Sequence, residues 1–178
     1  ILIGEVRDSE TLDIAVKSAL TGHLVLSSIH TTTAAGAITR MMNMGVEPFL
    51  ICSSVICIVA QRLVRKICPD CKEAYTLSSE AMKQFQIDQL VPGHSMTFYR
   101  PKGCDKCFKS GYKGRIGITE TIALTSKIRD LILSKVSEME IKASALEQGM
   151  KSMRQDAVLK ACRGLTSLEE VVRLTAAD

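Results

Sequence analysis

The 178-residue sequence contains no tryptophan, and aromatic residues make up only 4% of it. So few aromatic side chains argue against a stacking platform for single-stranded nucleic acid. The chain also lacks a strong excess of either charge, because 23 lysines and arginines against 19 acidic residues leave a net charge of +4. A balance this close to neutral does not by itself indicate a nucleic-acid partner.

No long hydrophobic run is present either. The longest apolar stretch extends from Phe49 to Ala60 and is interrupted by Ser53 and Ser54. It falls short of the roughly 18–20 residues that a membrane-spanning helix needs, and we expect neither such a helix nor a signal peptide. With 46% hydrophobic and 24% charged residues, the composition predicts a soluble domain with a sizeable core, in a reducing compartment.

Residues 1–45 alternate between strand and helix patterns. Ile1–Val6 is apolar and rich in β-branched residues, and apolar residues at helical spacing follow it as far as Gly22. A second apolar strand runs from about residue 24 to Ile29, and Thr31–Thr33 can cap the helix that follows. This β-α-β-α order predicts a parallel sheet covered by helices, with both strands buried.

The middle of the chain changes character twice. Pro48 favours the start of a helix, and residues 49–65 predict one that is apolar nearly all round and therefore buried. Residues 68–111 then combine cysteine pairs with scattered polar residues and a turn signal at Pro92-Gly93.

The last third of the sequence is predicted to be mostly helical. Residues 115–120 indicate a short strand, and helical patterns occupy the chain from Thr125 onwards. Capping boxes are predicted where a serine or threonine precedes a glutamate by three positions, at Ser137/Glu140 and Thr166/Glu169.

Four of the seven cysteines form two C-x-x-C pairs, Cys68/Cys71 and Cys104/Cys107. Each such turn presents two thiolates to one tetrahedral metal ion, and two turns complete a four-cysteine zinc site. Because thiolates fill all four positions, the zinc would support structure and leave no place for a catalytic water. A redox dithiol explains one pair but not the second. Unmetallated thiols are the remaining alternative.

Two polar residues follow the predicted strands at the edge where ligands bind in open α/β sheets. Glu5 and His30 should emerge on this edge together, whereas His23 precedes the second strand and points to the opposite end. A carboxylate at this edge of a nucleotide hydrolase can polarise the attacking water or hold the waters of Mg²⁺. A solvated glutamate and a helix-capping histidine are the plainer alternatives. Several arginines could sense phosphate, although each alone is typical of surface charge: Arg7, Arg40, Arg62 and Arg65.

Four segments in a fixed order carry a resemblance to a known family. Ile1–Asp8 is similar to a Walker B box with Gly-Glu at its centre, and Leu20–Thr31 is similar to a His box. Gly45–Phe49 and Ala60–Arg65 are similar to the segment before a metal-binding insertion, and the cysteine quartet with Gly111–Gly117 is similar to that insertion and its exit. From residue 1 to about 175, the chain resembles the C-terminal half of the type II secretion and type IV pilus assembly ATPases, which are RecA-like hexameric motors.

The resemblance implies an α/β fold that is the C-terminal part of a RecA-like ATPase domain. A parallel sheet with covering helices would carry a four-cysteine zinc-binding insertion and a small helical C-terminal subdomain. The implied division places residues 1–67 in the ATPase core and 68–111 in the metal-binding subdomain. Residues 112–124 would return to the core as a strand, and 125–178 would form the helical subdomain.

The resemblance also implies roles for individual residues. Glu5 would be the catalytic carboxylate, and His30 would contact the γ-phosphate of ATP. Arg7 and His23 would line the nucleotide site or a subunit interface. Structural zinc would be bound by the cysteine quartet: Cys68, Cys71, Cys104 and Cys107. ATP and Mg²⁺ would bind in the full-length protein.

The implied function is ATP hydrolysis coupled to assembly of a pilus or pseudopilus and to type II protein secretion. The implied partners are further copies of the chain in a hexamer, an inner-membrane platform and cytoplasmic recruiting proteins, with no nucleic acid. Such a protein would be cytoplasmic and peripheral at the inner membrane.

The sequence departs from this family in that it contains no G-x-x-x-x-G-K-[ST] phosphate loop. The acidic box and the arginines that family members carry between that loop and Walker B are missing as well. Without the amides and lysine that hold the phosphates, we expect a fragment of a longer protein that hydrolyses almost no ATP alone. The rival hypothesis is a four-cysteine zinc module that binds nucleic acid or protein. It depends on the basic residues around the second cysteine pair: Lys102, Lys106, Lys109, Lys113 and Arg115.

Overall fold

A computed structural model describes residues 1–85, 87–90 and 97–175, so the turn predicted at Pro92-Gly93 lies outside the described residues. The strands are β1 (Leu2–Val6), β2 (Leu26–Ile29), β3 (Cys57–Ile67), β4 (Lys72–Thr76), β5 (Thr97–Pro101) and β6 (Tyr112–Ala123). The helices are α1 (Ser9–Leu20), α2 (Ala34–Asn43), α3 (Pro48–Ser54), α4 (Ser79–Gln84), α5 (Ile87–Leu90), α6 (Ser126–Leu133), α7 (Glu138–Glu147), α8 (Met153–Cys162) and α9 (Leu168–Thr175). A short 3₁₀ helix covers Asp105–Cys107.

The chain divides into two compact units, each built from two separate segments. The first unit combines Ile1–Ala60 with Glu120–Met150, and the second combines Gln61–Thr119 with the chain from Lys151 onwards. The helices after Thr125 are therefore shared between the units, whereas the sequence placed them in one subdomain. The four-segment division into functional domains stays a prediction.

The first unit begins with the predicted β-α-β-α run. Strands β1 and β2 pair in parallel, with Leu2 opposite Leu26 and Val6 opposite Ile29. Helix α1 begins after Asp8, whose Oδ1 accepts the N–H of Thr11 at 2.7 Å. The buried faces of α1 and α2 pack with α3, α6 and α7 around one apolar core.

The prediction that both strands would be buried is wrong for the described part of the chain. Leu2 is 80% exposed, and Leu24 and Leu26 also face outward. Apolar sequence predicts burial only if something covers the strand, and β1 and β2 have only each other as strand neighbours among the described residues.

The single helix predicted over residues 49–65 is also wrong. Helix α3 ends at Ser54, and β3 follows from Cys57. The hydroxyls of Ser53 and Ser54 donate to the carbonyls four residues earlier at 2.7 Å, a bond that competes with regular helix. Four of the five residues from Val55 to Val59 are β-branched, which favours extended backbone. An apolar run without clear periodicity did not distinguish the two states.

Strand β3 pairs with β6, which is longer than the predicted strand at residues 115–120. The two run in opposite directions, because Leu124 N–H donates to Ile56 O at one end of the ladder and Cys68 N–H to Gly111 O at the other. In the second unit, β4 and β5 form a separate antiparallel pair.

One of the two predicted capping boxes is confirmed. Ser137 and Glu140 cap α7 reciprocally, as the pattern indicated. The Thr166/Glu169 box is wrong by one position, because Ser167 Oγ accepts the N–H of Glu170 at 3.3 Å. Thr166 instead donates its hydroxyl to the carbonyl of Arg65 at 2.8 Å, so a tertiary contact displaced the local cap.

Candidate functional site

An irregularity in β1 presents Glu5 at the carboxyl edge of the parallel pair. Between Ile3 and Val6 the register against β2 shifts by one residue, so that β1 bulges at Gly4-Glu5. The carbonyl of Gly4 accepts a hydrogen bond from the hydroxyl of Ser28 at 2.8 Å, which stabilises the bulge. Bulges redirect a side chain from its place in the pleat, and here the redirected side chain is Glu5.

The Glu5 carboxylate contacts Arg7 and His30. Its Oε2 accepts from Arg7 Nε at 2.7 Å and lies 2.6 Å from Arg7 Nη2, while its Oε1 meets His30 Nε2. The hydrogen bond from Arg7 is the main cause that lowers the pKa of Glu5; burial opposes it, and His30 adds a further lowering. The structure therefore brings together three of the predicted site residues.

His23 lies apart from this cluster, as its place before β2 predicted. Its Nδ1 is 3.2 Å from the hydroxyl of Thr21 at the exposed end of α1. Two of the arginines considered as phosphate sensors are used within the second unit: Arg62 Nη1 donates to the carbonyl of Leu174 at 2.5 Å, and Arg65 pairs with buried Glu170.

The segment after His30 is held by two carboxylates that sequence reasoning missed. Oε1 of Glu120, in β6, accepts the N–H of Ala34 at 2.7 Å at the start of α2. Thr33 caps α2 by accepting the N–H of Gly36 at 2.9 Å, and its hydroxyl in turn donates to Glu138. Contacts over such sequence separations leave no local pattern from which to predict them.

The four predicted cysteines come together in the second unit. Their Sγ atoms all lie within 4.8 Å of one another. The separations are 4.0 Å between Cys68 and Cys104, 3.8 Å between Cys71 and Cys107, and 3.7 Å between Cys104 and Cys107. A disulfide would require about 2.0 Å. Four sulfurs about 2.3 Å from one zinc ion lie about 3.8 Å apart in a tetrahedron, so the cluster fits that ion.

Backbone groups around the cluster favour a thiolate at Cys107. The N–H groups of Cys104 and Gly111 each donate to Cys107 Sγ at 3.2 Å. These bonds, with that from Cys104 the stronger, lower the pKa of Cys107 to about 6 although burial opposes them. Burial raises the pKa of Cys71 to about 11. A metal cation would draw such thiols into their charged form.

Three lysines near the second cysteine pair already have acidic partners. Lys102 Nζ lies 2.7 Å from Glu73, Lys106 Nζ 2.6 Å from Asp70, and Lys109 Nζ 2.7 Å from Asp105. Pairing within the unit reduces the charge that these lysines offer to phosphate. The geometry therefore gives little support to the nucleic-acid alternative.

Comparison with known proteins decides the family. The sequence profile of the Type II/IV secretion system proteins matches residues 1–173. The chain belongs to the type II/IV secretion system protein family. It is 46% identical over 175 residues to the type II secretion system ATPase E of Vibrio cholerae, and 44% identical over 181 residues to the type IV pilus assembly ATPase PilB of Myxococcus xanthus. These alignments cover 98% and 100% of this chain but only 34% and 31% of the relatives.

Solved structures show the same fold. The Legionella pneumophila ATPase DotB matches 100% of this chain and 38% of its own with a TM-score of 0.65 at 20% identity. The pilus retraction motor PilT with bound ADP matches 98% of this chain and 38% of its own with a TM-score of 0.63 at 22% identity. The α/β, RecA-like fold class of this type II/IV secretion system protein is thereby confirmed.

In residues 1–85, 87–90 and 97–175, no helix combines the length and the apolar composition that crossing a bilayer requires.

Proposed function

We propose that these residues form the C-terminal part of a motor that hydrolyses ATP to drive assembly of a pilus or pseudopilus, and with it type II protein secretion. The main support is that Glu5, Arg7 and His30 lie in contact at the carboxyl edge of β1 and β2 in a member of this family. The names of the relatives support the same conclusion, since they are a secretion ATPase and a pilus assembly ATPase.

The chain spans about a third of the length of these relatives, and its 178 residues contain no G-x-x-x-x-G-K-[ST] phosphate loop. The whole protein would need such a loop to hold the phosphates of ATP, and the 178-residue chain alone would hydrolyse almost no ATP. The working protein would be a hexamer. It would be cytoplasmic and contact an inner-membrane platform and cytoplasmic recruiting proteins.

Glu5 would orient the water that attacks the γ-phosphate, and His30 would contact that phosphate. Oε2 of Glu5 is bonded to Arg7, whereas Oε1 lies next to His30 but receives no hydrogen bond of regular geometry from the described residues, so Oε1 is the oxygen available to the water. The side chains of Arg7 and His30 are mostly exposed, so either can move without disturbing the core. Mg²⁺ bound with ATP would neutralise charge on the β- and γ-phosphates. His23, outside this cluster, would line the nucleotide site or a subunit interface.

The test is Mg²⁺-dependent ATP hydrolysis by the full-length protein with Glu5→Gln. Loss of the carboxylate should lower kcat on the order of a hundredfold or more while ATP still binds. Glu10→Gln, an exposed glutamate in the first turn of α1, is the matched control and should leave kcat unchanged. Equal hydrolysis by the Glu5→Gln variant would show that the catalytic assignment is wrong.

The cysteine cluster is proposed to hold structural Zn²⁺. The support is the match between the sulfur separations and a tetrahedral four-thiolate site. Purified protein should contain about one zinc per chain by elemental analysis, as four ligands to one ion require. Cys107→Ser should reduce this content and the thermal stability, whereas Cys57→Ser, an exposed cysteine outside the cluster, should change neither. Full retention of metal by Cys107→Ser would refute the site.

A zinc module that binds nucleic acid is the less supported alternative, because its lysines are paired with carboxylates. Binding of DNA or RNA that falls steeply with salt concentration would favour it.

A further inference from the structure

The position of His30 depends on the backbone at either side of it. Its side chain is 87% exposed, so packing around the ring does not hold it in place. At one side, Ile29 is paired with Val6 across the β1–β2 ladder. At the other side, Ala34 begins α2 only four residues after His30. Whatever fixes the start of α2 therefore also fixes His30 relative to Glu5.

The start of α2 is fixed by Glu120. This residue is 2% exposed, lies in β6 and is 86 residues from Ala34 in sequence. Its Oε1 accepts the N–H of Ala34 at 2.7 Å. A carboxylate at this place is favourable, because the free N–H groups at a helix start carry partial positive charge. At 2.7 Å this is a direct hydrogen bond between β6 and the start of α2, four residues after His30.

A second contact secures the residue before α2. The hydroxyl of Thr33 accepts the N–H of Gly36 and donates to Glu138 in α7. Thr31 donates its hydroxyl to the carbonyl of Thr33 at 3.1 Å, which stiffens the four residues between strand and helix. With the amides of Ala34 and Gly36 already bonded, the start of α2 offers two fewer N–H groups to a phosphate.

We propose that Glu120 is a positioning residue that holds His30 beside Glu5 through Ala34 and α2, without touching nucleotide itself. The inference rests on the proposed function, in which His30 contacts the γ-phosphate. A cap that only stabilised α2 would change the melting temperature alone. A positioning residue would in addition change how strongly the site prefers ATP to ADP, because that preference depends on where the His30 ring lies.

Two conservative variants separate position from charge. Glu120→Gln keeps the side-chain length and a carbonyl oxygen for Ala34 N–H but removes the charge. Glu120→Asp keeps the charge but withdraws the acceptor by about 1.5 Å, one carbon–carbon bond. If position matters, the glutamine variant should work nearly as well as wild type and the aspartate variant should be impaired.

The experiment uses the full-length protein and measures three quantities. They are kcat for ATP, the ratio of dissociation constants for ADP and a non-hydrolysable ATP analogue, and hydrogen exchange of the peptide over residues 30–36. Glu120→Asp should lower kcat and the ratio three- to tenfold and speed exchange of that peptide, whereas Glu120→Gln should stay within twofold of wild type. Thr125→Ala, which removes the cap of α6 in the same unit, should lower the melting temperature but leave all three unchanged.

A double variant tests whether Glu120 acts through His30. After His30→Ala, adding Glu120→Asp should cause no further loss in kcat or in the ratio, because the group being positioned is gone. Additive losses, or an impaired Glu120→Gln beside a normal Glu120→Asp, would overturn the proposal. If His30→Ala itself changes neither quantity, the γ-phosphate role of His30 fails. The exchange of residues 30–36 then still reports whether Glu120 holds the segment, and unchanged exchange in Glu120→Asp would reject that as well.

Discussion

Replacing Glu170 with glutamine should destabilise the second unit by about 2–3 kcal/mol at neutral pH. The carboxylate is fully buried, with 0% exposure, and accepts hydrogen bonds from the backbone of Arg65 and from the guanidinium groups of Arg65 and Arg173 at 2.7–2.9 Å. Burial acts to raise the pKa of Glu170, but the bonds from Arg173 and Arg65 outweigh it and bring the pKa to about 2.

The magnitude follows from the difference between this pKa and the ordinary value of 4.5. A difference of about 2.5 pKa units corresponds to about 3.4 kcal/mol of stability when the carboxyl is ionised in both states. The two guanidinium groups are about half exposed, and water screens them, which reduces the value towards about 2 kcal/mol.

The same pKa difference fixes the direction of the pH dependence. Between pH 4.5 and pH 2 the unfolded chain binds a proton at Glu170 that the folded chain does not, so the stabilisation is complete above this window and is lost as pH falls through it. The advantage of wild type over Glu170→Gln should therefore fall to about half near pH 3.3.

Urea unfolding followed by tyrosine fluorescence is the assay. The chain has no tryptophan, and its three tyrosines, Tyr75, Tyr99 and Tyr112, all belong to the second unit, so the signal reports that unit alone. Glu169→Gln, at the exposed neighbouring position of α9, is the control and should cost less than about 0.5 kcal/mol. A loss equally small for Glu170→Gln, or one that does not change between pH 7 and pH 3, would refute the reasoning.

Two further predictions concern single contacts. Gly111→Ala should lower the free energy of unfolding clearly more than Gly114→Ala in the same denaturation assay. Both glycines have positive φ, which costs an alanine about 1–2 kcal/mol. Only at Gly111 would the new Cβ also lie 2.3 Å from Pro101 Cβ. Equal losses would contradict this close approach. Arg7→Gln should raise the pKa of Glu5, because the Arg7 bond is the largest cause of its lowering, and a carboxyl carbon NMR titration that found no rise would contradict the ion pair.

The local features of the fold could be predicted from sequence. Helix α2 and its cap at Thr33 follow from an apolar periodicity preceded by threonines, and both lie where the sequence indicated. The cysteine quartet was equally predictable, since spacing within each pair and the need for four ligands are written in the sequence. Glu5 and His30 were predicted to meet because parallel strands end at one edge, and the structure brings them together.

The remaining features depend on distant parts of the chain. The bulge at Gly4-Glu5 exists only in the pairing of β1 with β2, so the strand pattern alone could not reveal it. Glu120 has the sequence context of an ordinary strand residue. Its contact with the start of α2 becomes visible only when the structure places it beside Ala34, which lies in a different element. The boundary between α3 and β3 was mispredicted for a different reason, because a largely apolar run without clear periodicity is compatible with both helix and strand.

The interleaving of the two units has a consequence for synthesis of the protein. Residues 1–60 are synthesised first, and Gln61–Thr119 of the other unit follow. The first unit is complete only after Glu120–Met150 have also been made. At typical translation rates this delay lasts on the order of 5–20 s. During that time β1 and β2 are made but their unit is incomplete, and the four clustered cysteines, Cys68, Cys71, Cys104 and Cys107, are translated one after another. Translation speed and early capture of the nascent strands by chaperones should therefore influence the yield of folded protein.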